Sequence, residues 1–147
     1  MEAFCADLCM GWDELAKMAA DPLVTFGAHT VNHPILSKLD DKAARAEMAS
    51  SRDVIAAALG TTPAHLAYPV GDRSAAGPRE FRIAQELGYK TAVTTRPGVI
   101  FRKHAEHLTA LPRISLNGNF QSPRYAKVLI SGSATGLWNG FRPVNVT

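Results

Sequence analysis

Helical and strand patterns alternate along this chain, and that alternation constrains the fold more than any other feature of the sequence. Segments with apolar residues at helical spacing are separated by short runs rich in β-branched residues and bounded by Gly or Pro. Alternation of this kind is typical of a mainly parallel sheet with helices outside it. The predicted elements are helix 12–20, strand 23–26, helix 39–60, strand 65–71, helix 78–89, strand 90–95, strand 108–116 and helix 124–132.

Two turn motifs occur where predicted strands end. The stretch GAHTVNHP at 27–34 follows the first strand, and AYPVG at 67–71 ends the second. In parallel sheets the catalytic and binding residues lie at the C-terminal ends of the strands, because these ends share one rim. The two motifs are therefore predicted to lie at the same rim of the sheet.

His29 and His33 are the side chains of the first motif that could bind a metal. On a helix their spacing would place both imidazoles on one face, but Gly27 and Pro34 favour a loop. The spacing by itself leaves two interpretations open, a metal site and a structural turn.

The sequence around these histidines resembles the polysaccharide deacetylase (NodB-homology, carbohydrate esterase) family. The family signature H-[ST]-x-x-H-P is met by His29, Thr30, His33 and Pro34, and the segments LSKL and AYPVG follow it. Further along the chain, GYKTAVTT and LPRI are also similar to that family. The resemblance extends from about residue 12 to about residue 116.

The resemblance implies a fold and a division of the chain. The family folds as an irregular (β/α) barrel, so the expected fold class is α/β, as a partial barrel of this type that lacks the first strands. Residues 1–125 would form the C-terminal part of the deacetylase-like barrel, and residues 126–147 a basic C-terminal helix and tail. A barrel without its first strands has an open sheet edge, through which chains could self-associate.

The resemblance also implies a reaction, the metal-dependent removal of N-acetyl groups from amino-sugar polymers or oligomers. In the family, one aspartate and two histidines hold a divalent metal, often zinc, which polarises the acetamide carbonyl and lowers the pKa of a bound water. A second aspartate is the base. Carried over to this chain, His29 and His33 would be metal ligands, and an N-acetylated glycan would be the substrate.

Further roles follow from the same resemblance. Thr30 would brace the loop by hydrogen bonding, and the backbone N–H of Val70 would face the oxyanion of the tetrahedral intermediate. The supporting positions are Pro34, Tyr68, Pro69, Gly71 and Arg113.

The chain departs from the family pattern at the acid–base residues. Both family aspartates come from an early Thr-Phe-Asp-Asp-Gly motif, which does not occur in this sequence. An arginine often found close to the position of Ala67 is missing, and the late Leu-x-His motif aligns with residues 111–113. Arg113 cannot exchange a proton near neutral pH. We therefore expect this chain to be the C-terminal portion of a longer deacetylase and to be inactive alone. The alternative is a non-catalytic carbohydrate-binding or assembly module derived from the same fold.

Other polar residues are predicted to have structural roles. His104 and His107 lie in a charged, loop-like stretch and are predicted to be exposed, and Asp72 is predicted to cap its turn. Cys5 and Cys9 precede the two histidines in the order of a zinc finger, although 19 residues separate Cys9 from His29. Cysteines packed in a core are the simpler interpretation.

Charge and hydropathy limit the partners. The net charge of +3 is too small to indicate nucleic-acid binding, and no acidic residue follows Glu106. The basic end is expected to be solvated or packed on a partner. No apolar run approaches the ~20 residues of a membrane span, and the N-terminus does not have the pattern of a signal peptide. Without a signal peptide, a cytoplasmic location is the default expectation. Because an N-terminal segment is expected to be missing, the localisation is left as unknown.

Overall fold

The computed structural model describes residues 8–116, 118 and 121–146 of the 147-residue chain. Its α-helices are α1 (Trp12–Ala19), α2 (Asp41–Leu59), α3 (Pro78–Glu86), α4 (Pro123–Ile130) and α5 (Ser133–Trp138). Short 3₁₀ helices cover Leu36–Lys38, Arg102–Glu106 and Leu108–Ala110. No helix of this described part is long and apolar enough to cross a bilayer.

Local sequence signals determine where the central helices begin and end. The Asp40 side chain accepts a hydrogen bond from the Ala43 N–H at 2.7 Å and caps α2. Gly60 ends that helix in the left-handed conformation, at φ 69°. Pro78 occupies the first turn of α3, where its missing N–H has no cost. The predicted boundaries of these helices are confirmed to within a few residues.

The strands β1 (His65–Ala67), β2 (Thr91–Pro97) and β3 (Leu111–Arg113) form a parallel sheet in the order β1-β2-β3. His65 pairs with Thr91, and Val93 pairs with Leu111. The predicted parallel sheet is therefore confirmed. The predicted strand 108–116 is shorter than expected, because residues 108–110 form a 3₁₀ helix instead.

The predicted buried strand 23–26 is wrong. Asp21 starts a turn. Its side chain accepts a hydrogen bond from the Leu23 N–H at 2.9 Å, and its backbone carbonyl accepts one from the Val24 N–H at 3.0 Å. Leu23 consequently lies in solvent, 92% exposed. Just after this run, Ala28 pairs with the sheet through a parallel bridge to Leu66 of β1. This bridge sets the histidine loop against the edge of the sheet.

Helices cover one face of the sheet much more completely than the other. Residues of the sheet, α2 and α3 form one buried core cluster, which includes Leu36, Ala44, Met48, Leu66, Tyr68, Ile83, Ala84 and Ala92. Residues that alternate with Leu66 and Ala92 are only half-buried, among them Ala67, Val93 and Thr95. Because successive strand residues point to opposite faces, the second face is the less covered one.

Two expectations about side-chain burial are wrong. His104, predicted to be exposed, is fully buried, while His107 is half-buried. His104 Nδ1 accepts from the Phe101 N–H at 2.9 Å, so its Nε2–H donates to the Val144 carbonyl at 2.9 Å. Burial of this ring is possible because both nitrogens have partners. Cys9 is exposed rather than packed in a core, and Cys5 lies outside the described residues.

Candidate functional site

The His29 imidazole is held by the sheet in a defined orientation. It follows the bridge residue Ala28, and its Nδ1 lies 2.7 Å from the Ala67 carbonyl oxygen at the end of β1. A carbonyl only accepts, so Nδ1 carries the proton and donates it. The Nε2 lone pair of this exposed ring is then available to a metal, which is the usual arrangement of a metal-binding histidine.

His33 places a second imidazole next to the first. The two ring centroids are 4.9 Å apart, and the ring planes meet at 66°. Both residues lie in a loop, as Gly27 and Pro34 predicted. A Cβ on Gly27 would lie 3.2 Å from the His65 carbonyl oxygen, so glycine allows the loop to approach β1 closely.

Glu47 of α2 braces this loop. Its Oε2 accepts from the backbone N–H groups of Val31 and Asn32, each at 3.0 Å, and its Oε1 accepts from the Asn32 amide at 2.6 Å. Sequence reasoning assigned the bracing role to Thr30, and this is wrong. The Thr30 hydroxyl is buried and has no hydrogen-bond partner in the described part of the chain.

The Glu47 contacts predict a pH-dependent stability. The Asn32 side chain and the loop N–H groups hold the pKa of Glu47 below its usual value of 4.5, against the effect of burial. The folded state therefore gains stability above 4.5, and that gain is lost as the pH falls through the lowered pKa. We expect Glu47→Gln to lower the urea midpoint at neutral pH and to make little difference in acid.

Asp53→Asn is the matched control for this prediction, because it removes an exposed carboxylate from the same helix. Urea unfolding of both variants at neutral and acidic pH measures the effect. Equal behaviour of the two variants would contradict the bracing role of Glu47.

The second motif forms a tight turn after β1. Val70 has φ +61°, and the Gly71 N–H donates to the Pro69 carbonyl at 2.6 Å, which closes a γ-turn around Val70. Thr95 of β2 fixes this turn, because its hydroxyl donates to the Val70 carbonyl at 2.7 Å and its N–H to the Gly71 carbonyl at 3.0 Å. Within the described residues no acceptor is hydrogen-bonded to the Val70 N–H.

Tyr68 and Pro69 anchor the turn in the core. The Tyr68 hydroxyl donates to the Thr109 carbonyl at 2.7 Å, and its ring lies 5.5 Å from that of Phe81. Burial raises the pKa of Tyr68 above its ordinary value, so this phenol stays protonated. Pro69 is also buried. Tyr68 is thus a support for the turn and not a proton donor to a substrate.

The comparisons with known proteins identify the family. The family model "Polysaccharide deacetylase" matches residues 4–92, which is more than half of the chain. The chain belongs to the polysaccharide deacetylase family. No curated protein sequence matches this chain significantly.

Solved deacetylase structures share the fold. The Streptococcus pyogenes deacetylase PplD, in complex with acetate, matches this chain with 29% identity and a TM-score of 0.72, over 82% of this chain and 50% of PplD. The deacetylase domain of BpsB from Bordetella bronchiseptica matches with 21% identity and a TM-score of 0.59, over 71% of this chain and 48% of that domain. IcaB from Ammonifex degensii matches with 19% identity and a TM-score of 0.62, over 79% and 52%.

The chain spans about half the length of each of these solved relatives. Its three-stranded parallel sheet with flanking helices is therefore part of the deacetylase fold, and the predicted partial barrel is confirmed. The predicted division into residues 1–125 and 126–147 stays a prediction.

The deacetylase family is generally metal-dependent, and the chemistry of the two imidazoles fits such an ion. Neutral imidazole nitrogen is a common ligand of zinc, and the tautomer of His29 leaves Nε2 free. The two imidazoles do not by themselves form a complete ligand set. In the residues that the structure describes, no three His, Cys, Asp or Glu side chains come together as a metal-binding group.

Asp72 is bound within its own turn, and Arg113 has no group that could act as a base near neutral pH. Asp72 Oδ1 accepts from the Ser74 N–H and hydroxyl, both at 2.7 Å, and from the Ala75 N–H at 3.0 Å. These contacts, first the Ser74 hydroxyl, lower the pKa of Asp72, and its predicted capping role is confirmed. Arg113 ends β3 and is exposed.

Proposed function

We propose that this chain carries the two-histidine metal site and the oxyanion turn of a metal-dependent hydrolase that removes N-acetyl groups from amino-sugar polymers or oligomers. The hydrogen bond from His29 Nδ1 to the Ala67 carbonyl supports this proposal most directly. This hydrogen bond orients the His29 imidazole and fixes its tautomer without a bound metal. A purely structural turn does not require a fixed tautomer.

The two imidazoles would hold a divalent metal, in the first place zinc, through His29 Nε2 and a ring nitrogen of His33. A bound zinc supplies Lewis acidity toward the acetamide carbonyl and a water of lowered pKa. Two imidazoles are fewer ligands than such a site normally has, so this chain alone would bind the ion weakly. The third ligand and the base would be carboxylates other than those of the described residues.

Val70 would stabilise the developing oxyanion. Its N–H lacks an acceptor in the described part of the chain, and the flanking carbonyls are already fixed by Thr95. A donor held in this way needs little reorganisation when negative charge develops on the substrate oxygen. The γ-turn therefore acts through its backbone, and the side chain of Val70, 44% exposed, is not required for this role.

Zinc titration of the full chain tests the metal site. We expect His29→Ala and His33→Ala each to weaken zinc binding by about tenfold or more, because each removes one of two ligands. His107→Ala is the matched control, since that half-buried histidine lies outside both loops. Isothermal titration calorimetry gives the affinities. Equal zinc affinity in the wild type and in both loop variants would overturn the proposed site.

Acetate release separates this function from the second candidate, a non-catalytic carbohydrate-binding module of the same fold. The hydrogen bonds of Asp72 Oδ1 to Ser74 and Ala75 favour that candidate, because they tie this carboxylate to its own turn. With N-acetylglucosamine oligomers and added zinc, we expect no acetate from this chain alone. Binding of the oligomers without hydrolysis, unchanged in His33→Ala, would favour the binding module.

A further inference from the structure

A cavity of about 380 Å³ adjoins the oxyanion turn. It lies between the ends of β2 and β3 on one side and helices α4 and α5 on the other. Thr95 is common to the cavity and the turn, because it lines the cavity and donates two hydrogen bonds to residues 70 and 71. A ligand group in the cavity is thus next to the backbone that would contact the scissile amide.

The cavity wall combines an apolar surface with a single charge. Apolar side chains and one phenol form most of the wall, among them Pro97, Ile114, Tyr125, Val128 and Leu129. Arg113 is the one charged residue among the described lining residues. It has no ion-pair partner in the described part of the chain, and no acidic residue follows Glu106 in the whole sequence.

These properties match an anionic sugar better than a neutral one. The volume lies at the lower end of the usual range for small-molecule sites, about 300–1,000 Å³, so it suits a single sugar unit. The apolar wall can pack against the C–H face of a pyranose ring. The planar guanidinium of Arg113 presents paired N–H donors that suit a carboxylate or a phosphate.

We propose that this cavity binds an amino-sugar unit that carries a carboxylate or phosphate group, and that Arg113 selects that unit by pairing with its negative charge. The inference rests on the proposed function, since it defines which glycan unit lies beside the scissile N-acetyl group. Arg113 then determines specificity and takes no part in proton transfer, because its guanidinium stays protonated.

Calorimetric titration of the full chain with three sugars tests this inference. The probes are N-acetylmuramic acid, which has a carboxylate, N-acetylglucosamine 6-phosphate, and neutral N-acetylglucosamine. We expect at least one anionic sugar to bind about tenfold or more tightly than the neutral one, because a charge-assisted hydrogen bond contributes that much. The sugar that binds more tightly identifies the charged group.

Variants of two arginines make the test specific. Arg113→Gln is expected to remove the preference for the anionic sugar, and Arg113→Lys to restore part of it. Arg124→Gln is the matched control, because it removes an exposed positive charge from α4 outside the cavity lining and should leave the preference intact. Equal binding of all three sugars, no binding of any, or an equal loss in Arg113→Gln and Arg124→Gln would overturn the inference.

The metal proposal and this inference fail separately. His33→Ala is expected to keep the preference for the anionic sugar, because the histidine does not line the cavity. Loss of zinc binding with an intact anionic preference would therefore leave the cavity assignment in place. An intact zinc site with no anionic preference would overturn the cavity assignment alone.

Discussion

Replacing Gly71 by alanine should destabilise the chain by about 2–5 kcal/mol and distort the oxyanion turn. Gly71 has φ +68°, and an added Cβ would lie 2.9 Å from the Thr95 nitrogen and 3.0 Å from the Tyr68 carbonyl oxygen. The left-handed conformation costs an L-residue about 1–2 kcal/mol, and the overpacking adds about 1–3 kcal/mol. These backbone atoms belong to the sheet and its turn, so they cannot move aside without breaking the Thr95 contacts.

Gly60 provides the matched control for this prediction. Its φ is +69°, almost the same as that of Gly71, but an added Cβ would meet nothing within 4 Å. Gly60→Ala should therefore show only the conformational cost of about 1–2 kcal/mol. Urea midpoints of the two variants separate the close approach from the backbone strain. Equal losses in both variants would show that the contacts around Gly71 relax at no cost.

Leu36→Ala should destabilise the fold by about 2–5 kcal/mol, because Leu36 is fully buried in the core cluster and its truncation leaves a cavity. The loss is large against the roughly 5–15 kcal/mol that stabilises a typical domain. Ile35→Ala removes a neighbouring side chain that is 40% exposed, and we expect about 1 kcal/mol or less. Urea unfolding measures both variants. A Leu36 loss no greater than the Ile35 loss would contradict the assigned core.

The Leu36 substitution should also loosen both site loops. The residue follows the histidine loop directly, and its neighbour Ser37 donates its N–H to the Ala75 carbonyl at 3.0 Å, in the segment that follows the oxyanion turn. The Leu36 carbonyl itself accepts from Arg79 at 2.9 Å. Zinc affinity measured well below the unfolding transition should therefore fall in Leu36→Ala and stay near the wild-type value in Ile35→Ala.

The helices could be predicted because their boundaries are encoded locally. Asp40, Gly60 and Pro78 each act within three or four residues of their own position, so a single sequence contains the whole signal. The pairing of the two histidines at a rim was predictable for a similar reason. The loop is bounded by Gly27 and Pro34, and the parallel order of the strands followed from the alternation of elements.

Contacts between distant segments could not be predicted in this way. Glu47 reaches residues 31 and 32 across fifteen or sixteen positions, and nothing in its local pattern distinguishes it from a solvated glutamate on α2. His104 has the polar neighbours of a surface histidine, but the C-terminal segment covers it through Val144. The strand predicted at 23–26 is wrong because of a local contact: the turn at Asp21 directs Leu23 into solvent.

The two site loops concentrate unfavourable backbone geometry. Thr30, His33 and Val70 are three of the five non-glycine residues with positive φ in the described part of the chain. Such conformations persist only where surrounding contacts over-determine them, so the helical core supports loops that would relax if left alone. Glycine at Thr30 or Val70 would relieve the cost of the positive φ, but it would also give the loop backbone more conformational freedom. Efforts to make this chain more robust for biochemical work should therefore target helix ends and exposed helix faces, and leave both loops as they are.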